Sequence, residues 1–426
     1  MDKLEQTTPD GKYRIYQTSE LILIKHNDYD KYLQFDLKQS SNTINTNFCS
    51  EVTKDSLNEL VLTENKIRPH AIIGLLNLDK LSVILLVTKC DLVGKINNKE
   101  IYTVKEIDYV PISNELNVIT TDIKRYLDGL SALFLTGYYY SFDYNLTLSL
   151  QASKNQKPDT KNLNESLYYN FNHNLKKELE SVNPIFKINM INGYVGINTG
   201  DLGGEDVTLI LISRRSKFMA GTVFNCRGID ENGDTANFVE TEQIMKIGNK
   251  TFSFLIYRGS QPLFIKQNKS DSEYSIKLND EITKEENAKV LNKHIDKITL
   301  KEQFNIFFLN LLSDNIPDEA YLNKSMQNSF FPEKTSNGEI CKYTRFDFKN
   351  SLEMNEFNML ENFSKSFIKN QNAFLQYFCD DTKFKSSIMQ KGVIRVNCMN
   401  SLDRTNVMQA SLCWNILDTQ VIQFIL

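Results

Sequence analysis

Apolar and polar residues in the first quarter of the chain form short alternating runs separated by turn residues. The runs are KYRIYQ, ELILIKH, AIIGLLN, LSVILLVTK and EIYTVKEIDYV, all between residues 12 and 113. Alternation of this kind, with many β-branched and aromatic residues, is typical of half-buried strands that pair with their neighbours in sequence. The pattern predicts a β-rich meander, with a turn at Leu78, Asp79 and Lys80.

A helical pattern follows in TTDIKRYLDGLSALFL, and the apolar content then falls. Residues 151–166, QASKNQKPDTKNLNES, are polar and include a proline, so they predict a surface loop. A loop of that length is uncommon inside a domain, and we expect a domain boundary between about 150 and 185. The predicted domains are residues 1–183 and residues 184–426.

The second half of the chain mixes the two kinds of pattern. YVGINTG, DVTLILISRRS and FSFLIYRG are typical of strands, whereas residues 284–314 and 352–378 have the apolar spacing of helices. GVIRVNC, residues 392–398, predicts a short strand, and TNVMQASLCWNIL, residues 405–417, predicts a helix. The mixture predicts an α/β fold for this part of the chain.

Composition limits the class of protein. A length of 426 residues fits roughly two or three domains. The formal net charge of −4 argues against nucleic-acid binding, which needs many Lys and Arg residues to neutralise phosphates. The seven cysteines are odd in number, no two of them form a C-x-x-C pair, and the four histidines lie far apart. We therefore expect reduced thiols in a cytosolic setting, no metal and no cofactor.

No segment has the character of a membrane or targeting helix. The N-terminus, MDKLEQTTPDGK, lacks the apolar core of a signal peptide. The longest apolar stretch begins at residue 71 and is interrupted by Asp79, Lys80 and Lys89. Its uncharged pieces fall short of the ~20 residues that a membrane-spanning helix needs.

The segment RVNCMNSLDRTNVMQ, residues 395–409, lies at the predicted junction of a strand and a helix. Cys398 precedes Arg404 by six positions, and Thr405 follows directly. A helix N-terminus presents unpaired N–H groups that bind phosphate, and the same field favours the thiolate form of a cysteine at its edge. The arrangement predicts Cys-dependent hydrolysis of a phosphomonoester.

Three side chains have predicted roles in that chemistry. Cys398 is the nucleophile, and Arg404 donates to two phosphate oxygens as charge spreads over them. The Thr405 hydroxyl hydrogen-bonds the sulfur and makes it a better leaving group. The alternative is a buried, inert Cys398, but no other cysteine of the chain has an arginine six residues further on.

The segment resembles the active-site signature of the Sac-domain phosphoinositide phosphatases, typically Arg-x-Asn-Cys-x-Asp-Cys-Leu-Asp-Arg-Thr-Asn. Other blocks resemble the family in the same order: YYYSFDYNLTLSLQ (138–151), LISRRSKFMAGTVFNCRGIDENGDTANFVETEQI (211–244), SFLIYRGSQPLF (253–264) and YTRFDFK (343–349). The resemblance extends from about residue 12 to the end of the chain.

The resemblance implies an α/β fold in which a β-rich N-terminal Sac module packs on a catalytic domain, with a Cys-x5-Arg loop between a strand and a helix. It implies metal-free hydrolysis of an inositol-ring phosphate, most often that of phosphatidylinositol 4-phosphate, at the cytosolic face of endomembranes such as the endoplasmic reticulum or Golgi. The expected partners are a phosphoinositide in a membrane surface and a membrane-anchoring or adaptor protein. The expected backbone cradle for the phosphate runs from Met399 through Asn400, Ser401 and Leu402 to Asp403.

Two positions in the loop depart from the family. Asn400 stands where the family has an aspartate that is a candidate general acid, and Ser401 replaces its second cysteine. An amide cannot donate a carboxylic proton to the leaving inositol oxygen, a step worth ~10²–10⁴ in rate. Asp403 is the predicted substitute; the alternative is that it braces Arg404 or caps the following helix.

Val223 and Cys226 occupy places where the family commonly carries arginines, whereas four basic residues remain in the same block: Arg214, Arg215, Lys217 and Arg227. They predict either a solvated face or a cationic wall that attracts anionic lipid. The chain ends at VIQFIL, soon after the predicted active-site helix, so it resembles a family member that lacks its C-terminal part.

Three hypotheses follow from these patterns. The first is a phosphoinositide phosphatase with a phosphocysteine intermediate. The second is a weak or inactive Sac-like protein that binds phosphoinositide or scaffolds a complex, and Asn400 and the early end motivate it. The third is a Cys-dependent protein phosphatase, which the blocks between 138 and 264 disfavour.

Overall fold

The computed structural model describes residues 11–37, 49–53, 63–78, 81–113, 119–154, 168–221, 226–269, 274–278, 282–299, 305–328, 336, 338, 340–353, 357–375, 377–382 and 386–425. Contacts divide the chain into two compact units, Met1–Leu148 with Lys161–Val195, and Ser149–Thr160 with Gly196–Leu426. The chain passes from one unit to the other near residue 195, some way beyond the predicted boundary at 183. That boundary, as a limit between separately folding domains, stays a prediction.

The first unit begins with the predicted meander. Its strands are β1 (Tyr13–Gln17), β2 (Leu21–His26), β3 (Lys31–Asp36), β4 (Cys49–Thr53) and β5 (Thr63–Glu64), which form an antiparallel sheet in the order β4-β3-β2-β1-β5. Alternate residues such as Ile15, Ile24 and Phe35 are buried on one face. The period of two in the sequence therefore marks the inner face of this sheet.

A second group of strands completes the first unit. It contains β6 (Ala71–Leu78), β7 (Leu81–Ile96), β8 (Lys99–Ile112) and β9 (Tyr138–Ser141), each paired with the next in antiparallel register. Asn97 and Asn98 join the long β7–β8 hairpin with φ angles of 52° and 64°, which asparagine tolerates better than most residues. Leu78 pairs with Leu81 as the predicted turn requires, whereas Asp79 and Lys80 lie outside the described residues.

The predicted helix of this unit is confirmed as α1 (Thr121–Phe134). The hydroxyl oxygen of Thr120 accepts a hydrogen bond from the Ile123 N–H at 3.3 Å, so the sequence places a capping residue where the helix begins. Leu127 and Phe134 are buried against the strands. Two short 3₁₀ segments, Asn174–Leu179 and Pro184–Phe186, then lead to β10 (Asn189–Leu202), whose first residues pair with β9.

The second unit is α/β, as predicted. Its helices are α2 (Leu150–Lys154), α3 (Lys284–Thr299), α4 (Pro317–Asn328), α5 (Phe348–Glu353), α6 (Phe357–Leu375) and α7 (Asp403–Ile425). Its further strands are β11 (Glu205–Arg215), β12 (Val239–Ile247), β13 (Lys250–Gly259), β14 (Ile265–Lys269), β15 (Tyr274–Leu278), β16 (Asn305–Asn310), β17 (Cys341–Arg345), β18 (Phe378–Asp381), β19 (Ser386–Ile388) and β20 (Gly392–Asn397). The main sheet of this unit has the order β17-β16-β20-β13-β12-β11-β10.

The expectation of a continuous helical segment over 284–314 is wrong in its second part. The helix ends at Thr299, and Asn305–Asn310 is a strand that lies between β20 and β17. All but the first residue of this strand are buried, because both faces of a central parallel strand are covered. A strand of this kind has no alternation, so its apolar run cannot be distinguished from a buried helix by period alone.

Two other segments differ in detail from the patterns. Residues 151–154 of the predicted loop belong to α2, and 155–166 lie outside the described residues. The helical segment predicted over 352–378 consists of the end of α5 and all of α6, followed by the strand that begins at Phe378. The strand GVIRVN and the helix that contains TNVMQASLCWNIL are both confirmed.

Four strands of the second unit run parallel and end at the same level. Gly259 of β13 pairs with Asn397 of β20, which pairs with Asn310 of β16, which in turn pairs with Arg345 of β17. Ligand sites of α/β proteins form beyond the carboxyl ends of such strands. The loops that follow β13, β16, β17 and β20 therefore meet at one edge, and the last of them is the Cys398 loop. None of the helices that the structure describes combines the length and apolar character needed to cross a bilayer.

Candidate active site

The loop from Cys398 to Leu402 connects the end of β20 with the start of α7. Cys398 is buried, and its Sγ accepts a hydrogen bond from the Ser401 N–H at 3.2 Å. Ser401 has a φ of +55°, a left-handed conformation that turns the backbone sharply over the sulfur. The loop is therefore a tight turn that directs a backbone donor at the thiol.

Three consecutive carbonyl groups of the loop are anchored from outside it. Met399 O accepts from Ser260 Oγ at 3.0 Å, Asn400 O from Asn237 Nδ2 at 3.3 Å, and Ser401 O from Arg258 Nη1 at 2.5 Å. In a trans peptide the N–H of the next residue points opposite to the carbonyl. The N–H groups of residues 400, 401 and 402 therefore point away from these anchors, and the middle one reaches Sγ.

Arg258, the penultimate residue of β13, places a guanidinium beside this loop. Within the described part of the chain, its hydrogen bonds go to Ser401, to the carbonyl oxygen and, at 3.4 Å, to the hydroxyl oxygen. Burial lowers the pKa of Arg258 to about 10, and the charge of Cys398 acts in the opposite direction. A partly buried cation at this position favours an anion bound over the loop.

Arg404 is the second residue of α7 and forms a two-pronged ion pair with Glu319 of α4. Nη1 donates to Oε2 at 2.9 Å and Nη2 to Oε1 at 2.7 Å. The hydrogen bonds to Glu319 raise the pKa of Arg404, with smaller contributions from Cys398 and Asp347. Glu319 is buried, and its Oε2 also accepts from the Ser313 N–H at 2.8 Å.

The remaining predicted residues lie around the same loop. Asp403 is exposed at the first position of α7, and Leu402 is partly buried. The Thr405 hydroxyl donates to the Leu402 carbonyl oxygen at 2.8 Å, where it closes the first turn of the helix. Oδ1 of Asn400 is buried and accepts no hydrogen bond from the residues that the structure describes. The roles of these side chains in catalysis stay predictions.

A layer of buried polar side chains supports the loop from below. Oδ1 of Asn310 accepts from Asn397 Nδ2 at 2.8 Å and from Gln261 Nε2 at 2.6 Å, and its own Nδ2 donates to Asn323 and Tyr343. The amide of Asn397, the residue before Cys398, is thereby fixed to the neighbouring strand end.

Arg395 of β20 is also fully buried and fastens this strand to the loop after β13. It donates to the carbonyl oxygens of Gly259 at 3.1 Å and Ser260 at 2.6 Å, and to Nε2 of His294 at 3.3 Å. Burial, together with the charge of Arg395, holds the pKa of His294 well below its usual range, so the imidazole accepts from the arginine as a neutral ring.

One residue of the basic block lies away from the surface. Arg214 is fully buried and pairs with Glu240 at 3.0 Å and Glu242 at 2.7 Å, so it belongs to the interior of the second unit. Arg215 donates to Asn237 Oδ1 at 3.1 Å, and Nδ2 of the same Asn237 donates to the Asn400 carbonyl of the loop. For Arg214, neither the solvated face nor the lipid-facing wall applies.

Sequence reasoning missed Arg258 and Glu319 as site residues. Arg258 lies within the block SFLIYRGSQPLF, but nothing in its spacing relates it to Cys398. The sequence held a weak signal for Glu319, because it is an acidic residue in the first turn of a helix that follows a parallel strand. Among the described residues, no three His, Cys, Asp or Glu side chains converge as metal ligands would.

Comparison with known proteins gives the family. Residues 70–353 match the SacI homology domain. Phosphoinositide phosphatase SAC8 of Arabidopsis thaliana is 30% identical over 354 residues, which are 79% of this chain and 58% of that protein. Phosphatidylinositol-3-phosphatase SAC1-A of Danio rerio is 29% identical over 355 residues, again 79% of this chain and 58% of that protein.

A further relative is Synaptojanin-1 of Homo sapiens, which is 27% identical over 362 residues that cover 83% of this chain but 22% of that protein. The chain thus spans somewhat more than half of the length of the first two relatives. The residues that match the family end at 353, ahead of the Cys398 loop. The resemblance found in the sequence is confirmed, and the chain belongs to the SacI homology domain family.

Proposed function

We propose that the chain is a phosphoinositide phosphatase that removes a phosphate from the inositol ring through a phosphocysteine at Cys398. One observation carries the proposal: the Ser401 N–H donates to Sγ at 3.2 Å within a loop whose carbonyl groups are anchored on the other side. A ring of backbone donors above a thiol is complementary to the oxygens of a phosphate. The family of the relatives supports the same reaction class.

The reaction has two steps. Sγ attacks phosphorus, the bond from phosphorus to the ring oxygen breaks, and that oxygen leaves as an alcohol after taking a proton. Water then attacks the phosphocysteine and the bond from sulfur to phosphorus breaks. Inorganic phosphate is released, and the thiolate is regenerated. The N–H groups of residues 400–402 and the guanidinium of Arg404 carry the charge that develops on the phosphate oxygens.

The substrate that we propose is phosphatidylinositol 4-phosphate at the cytosolic face of endomembranes, the endoplasmic reticulum or Golgi. A backbone cradle recognises a phosphate without reading its place on the ring, so other isomers belong in the same test. One relative bears the name phosphatidylinositol-3-phosphatase, which makes the 3-phosphate the first competitor. The partners we propose are the lipid surface and a membrane-anchoring or adaptor protein.

The proton for the leaving oxygen is assigned to Asp403. It is the one carboxyl group of the loop segment 398–405, and it is exposed at the start of α7. An exposed carboxyl group is not fixed against the leaving oxygen, and Asn400 stands where the family has its candidate acid, so we expect slow turnover of inositol substrates.

The test is phosphate release from a panel of short-chain phosphoinositides by the purified chain and by Cys398→Ser. We expect release from the 4-phosphate by the chain and none by the variant, because a hydroxyl in place of the thiolate is a poor nucleophile at neutral pH. Release that persists in Cys398→Ser would assign the chemistry to another residue and overturn the proposal.

A second candidate is a phosphoinositide-binding protein with little or no turnover. Asn400 favours it, because its amide replaces a candidate proton donor while the loop around it keeps its anchors. In that case short-chain lipid should bind in the micromolar range or tighter without release of phosphate, and binding should depend on Arg404.

A further inference from the structure

We propose that Glu319 is a positioning residue that orients the Arg404 guanidinium toward an oxyanion bound in the Cys398 loop. The inference rests on the proposed function and adds a residue to it. Both carboxylate oxygens of Glu319 accept from Arg404, at 2.9 and 2.7 Å. A pair that uses both oxygens fixes the plane of the guanidinium as well as its position.

Glu319 is itself held in place. Its side chain is 4% exposed, and Oε2 accepts from the Ser313 N–H at 2.8 Å. Ser313 in turn donates through Oγ to Oδ2 of Asp347 at 2.9 Å. The carboxylate is thus tied to the loops after β16 and β17, which end at the same level as β20. Glu319 therefore fixes the guanidinium of Arg404 relative to the strand ends beside the Cys398 loop.

The ion pair leaves part of the guanidinium available. Arginine has five N–H donors, and Glu319 takes one from each Nη. The other three, including Nε–H, donate to no acceptor among the described residues, and the side chain is 29% exposed. These three donors lie on the part of the guanidinium that a phosphate can reach.

The charge of Glu319 has a cost for anion binding. A carboxylate next to Arg404 offsets part of the attraction between the guanidinium and a phosphate dianion. Glu319 therefore does not favour tight binding of the phosphate in the ground state, but it does fix the orientation of the Arg404 guanidinium. Orientation matters most when charge moves onto the phosphate oxygens, so the loss of Glu319 should appear in kcat rather than in KM.

The experiment compares the full chain with Glu319→Gln and Glu319→Asp, using a soluble phosphatidylinositol 4-phosphate. Gln keeps one acceptor and loses the charge, and we expect kcat to fall about 100-fold with KM within about threefold. Asp keeps the charge on a shorter side chain, and we expect it to restore kcat to within about tenfold of the original. The matched control is Glu361→Gln, which removes an exposed ion pair with Lys365 and should leave both constants unchanged.

A second arm does not depend on turnover. Orthovanadate, a five-coordinate analogue of the phosphoryl-transfer transition state, should protect Cys398 from alkylation by iodoacetamide, and this protection should weaken at least tenfold in Glu319→Gln because the analogue makes the orientation-dependent contacts of the transition state. If the chain releases phosphate from no lipid but shows this difference, the proposed function fails and the role of Glu319 stands. Equal protection in both proteins, or none in the original chain, overturns the role of Glu319.

Two kinetic outcomes also overturn it. The first is an unchanged kcat in Glu319→Gln, and the second is a raised KM with unchanged kcat. If Glu319→Gln does not fold, as judged by its melting curve, Glu319→Asp decides through its kinetic constants and through the protection of Cys398 from alkylation.

Discussion

Nδ2 of Asn397 donates to Oδ1 of Asn310 at 2.8 Å, which links the last residues of two adjacent parallel strands directly below the Cys398 loop. The same Oδ1 accepts from Gln261, while Nδ2 of Asn310 donates to Asn323 and Tyr343. Asn310 is fully buried, so its own amide has no water as a ready substitute for these partners. The position of Cys398 thus depends on one amide of a neighbouring strand.

Replacing Asn310 by Ala should destabilise the protein strongly. Several buried polar groups would lose their partner at once, and each unsatisfied group costs about 1–3 kcal/mol. We expect the urea midpoint and the melting temperature to fall clearly below those of the original chain. The control is Asn415→Ala in α7, where the amide bonds, among the residues that the structure describes, only to the Ser411 carbonyl of its own helix and alanine is the better helix former. Equal melting temperatures for the two variants would show that the hydrogen bonds of Asn310 do not contribute to stability.

Asn400→Asp should accelerate the hydrolysis of inositol phosphates and leave aryl phosphates nearly unchanged. The substitution restores a carboxyl group that protonates the leaving oxygen, a contribution of ~10²–10⁴ in rate, whereas an aryl alcohol leaves without this help. The measurement is kcat/KM for a short-chain phosphatidylinositol 4-phosphate and for para-nitrophenyl phosphate. A similar gain for both substrates would mean that Asn400→Asp acts on the loop and not on the leaving group.

Arg258→Met should slow the alkylation of Cys398 by iodoacetamide at pH 7. Methionine keeps much of the length of the side chain but removes the guanidinium that donates to the Ser401 carbonyl beside the thiol, and we expect the rate to fall about tenfold. Arg125→Met provides the control, because Arg125 is highly exposed on α1 and its loss changes the net charge by the same amount. If both variants react at the original rate, the guanidinium does not act on the thiol.

Acidification should destabilise the first unit through His70. Burial lowers the pKa of His70 to about 4, and Lys12 adds to the effect while Glu100 opposes it. An unfolded histidine takes up its proton near pH 6.5, so the unfolded state binds more protons between pH 6.5 and 4 and stability falls as the pH drops through that range. The loss at pH 5 should be about 2 kcal/mol, measured as the free energy of unfolding at pH 7.5 and at pH 5.

His70→Gln tests the assignment. Glutamine can keep a hydrogen bond with the Tyr140 hydroxyl, which lies 2.7 Å from Nδ1 of His70, but it does not titrate. The variant should show a smaller difference between the two pH values than the original chain. An unchanged difference would assign the acid sensitivity to other groups.

Local patterns were sufficient to predict the elements on which the loop is built. GVIRVN is apolar and short, TNVMQASLCWNIL has a helical repeat, and the strand and the helix lie where these patterns place them. NIFFLN was assigned to a helix, because a strand covered on both faces has no alternation to report. GVIRVN is also buried along its whole length and was still predicted as a strand, so NIFFLN was misassigned because it follows a helical pattern closely and not because of burial alone.

The contacts of the candidate site were less accessible from sequence. Arg404 and Glu319 are 85 positions apart, and Arg258 and Ser401 are 143 positions apart. Only the order of the parallel strands brings each pair together, and that order is not written in any local repeat. Arg214 shows the converse, since a run of basic residues suggested a surface but one of them is fully buried between two glutamates.

The place of β20 in the sheet has a consequence for how the protein is made. β20 lies between β13 and β16, although it follows both of them in the chain, by more than 80 residues in the case of β16. At roughly 5–20 residues per second, a ribosome would deliver β20 several seconds after β16. Until then β13 and β16 each have an unpaired edge at this position, which is a site for wrong pairing. Among the described strands of the main sheet, the one that leads into the Cys398 loop is therefore the last to become available for pairing.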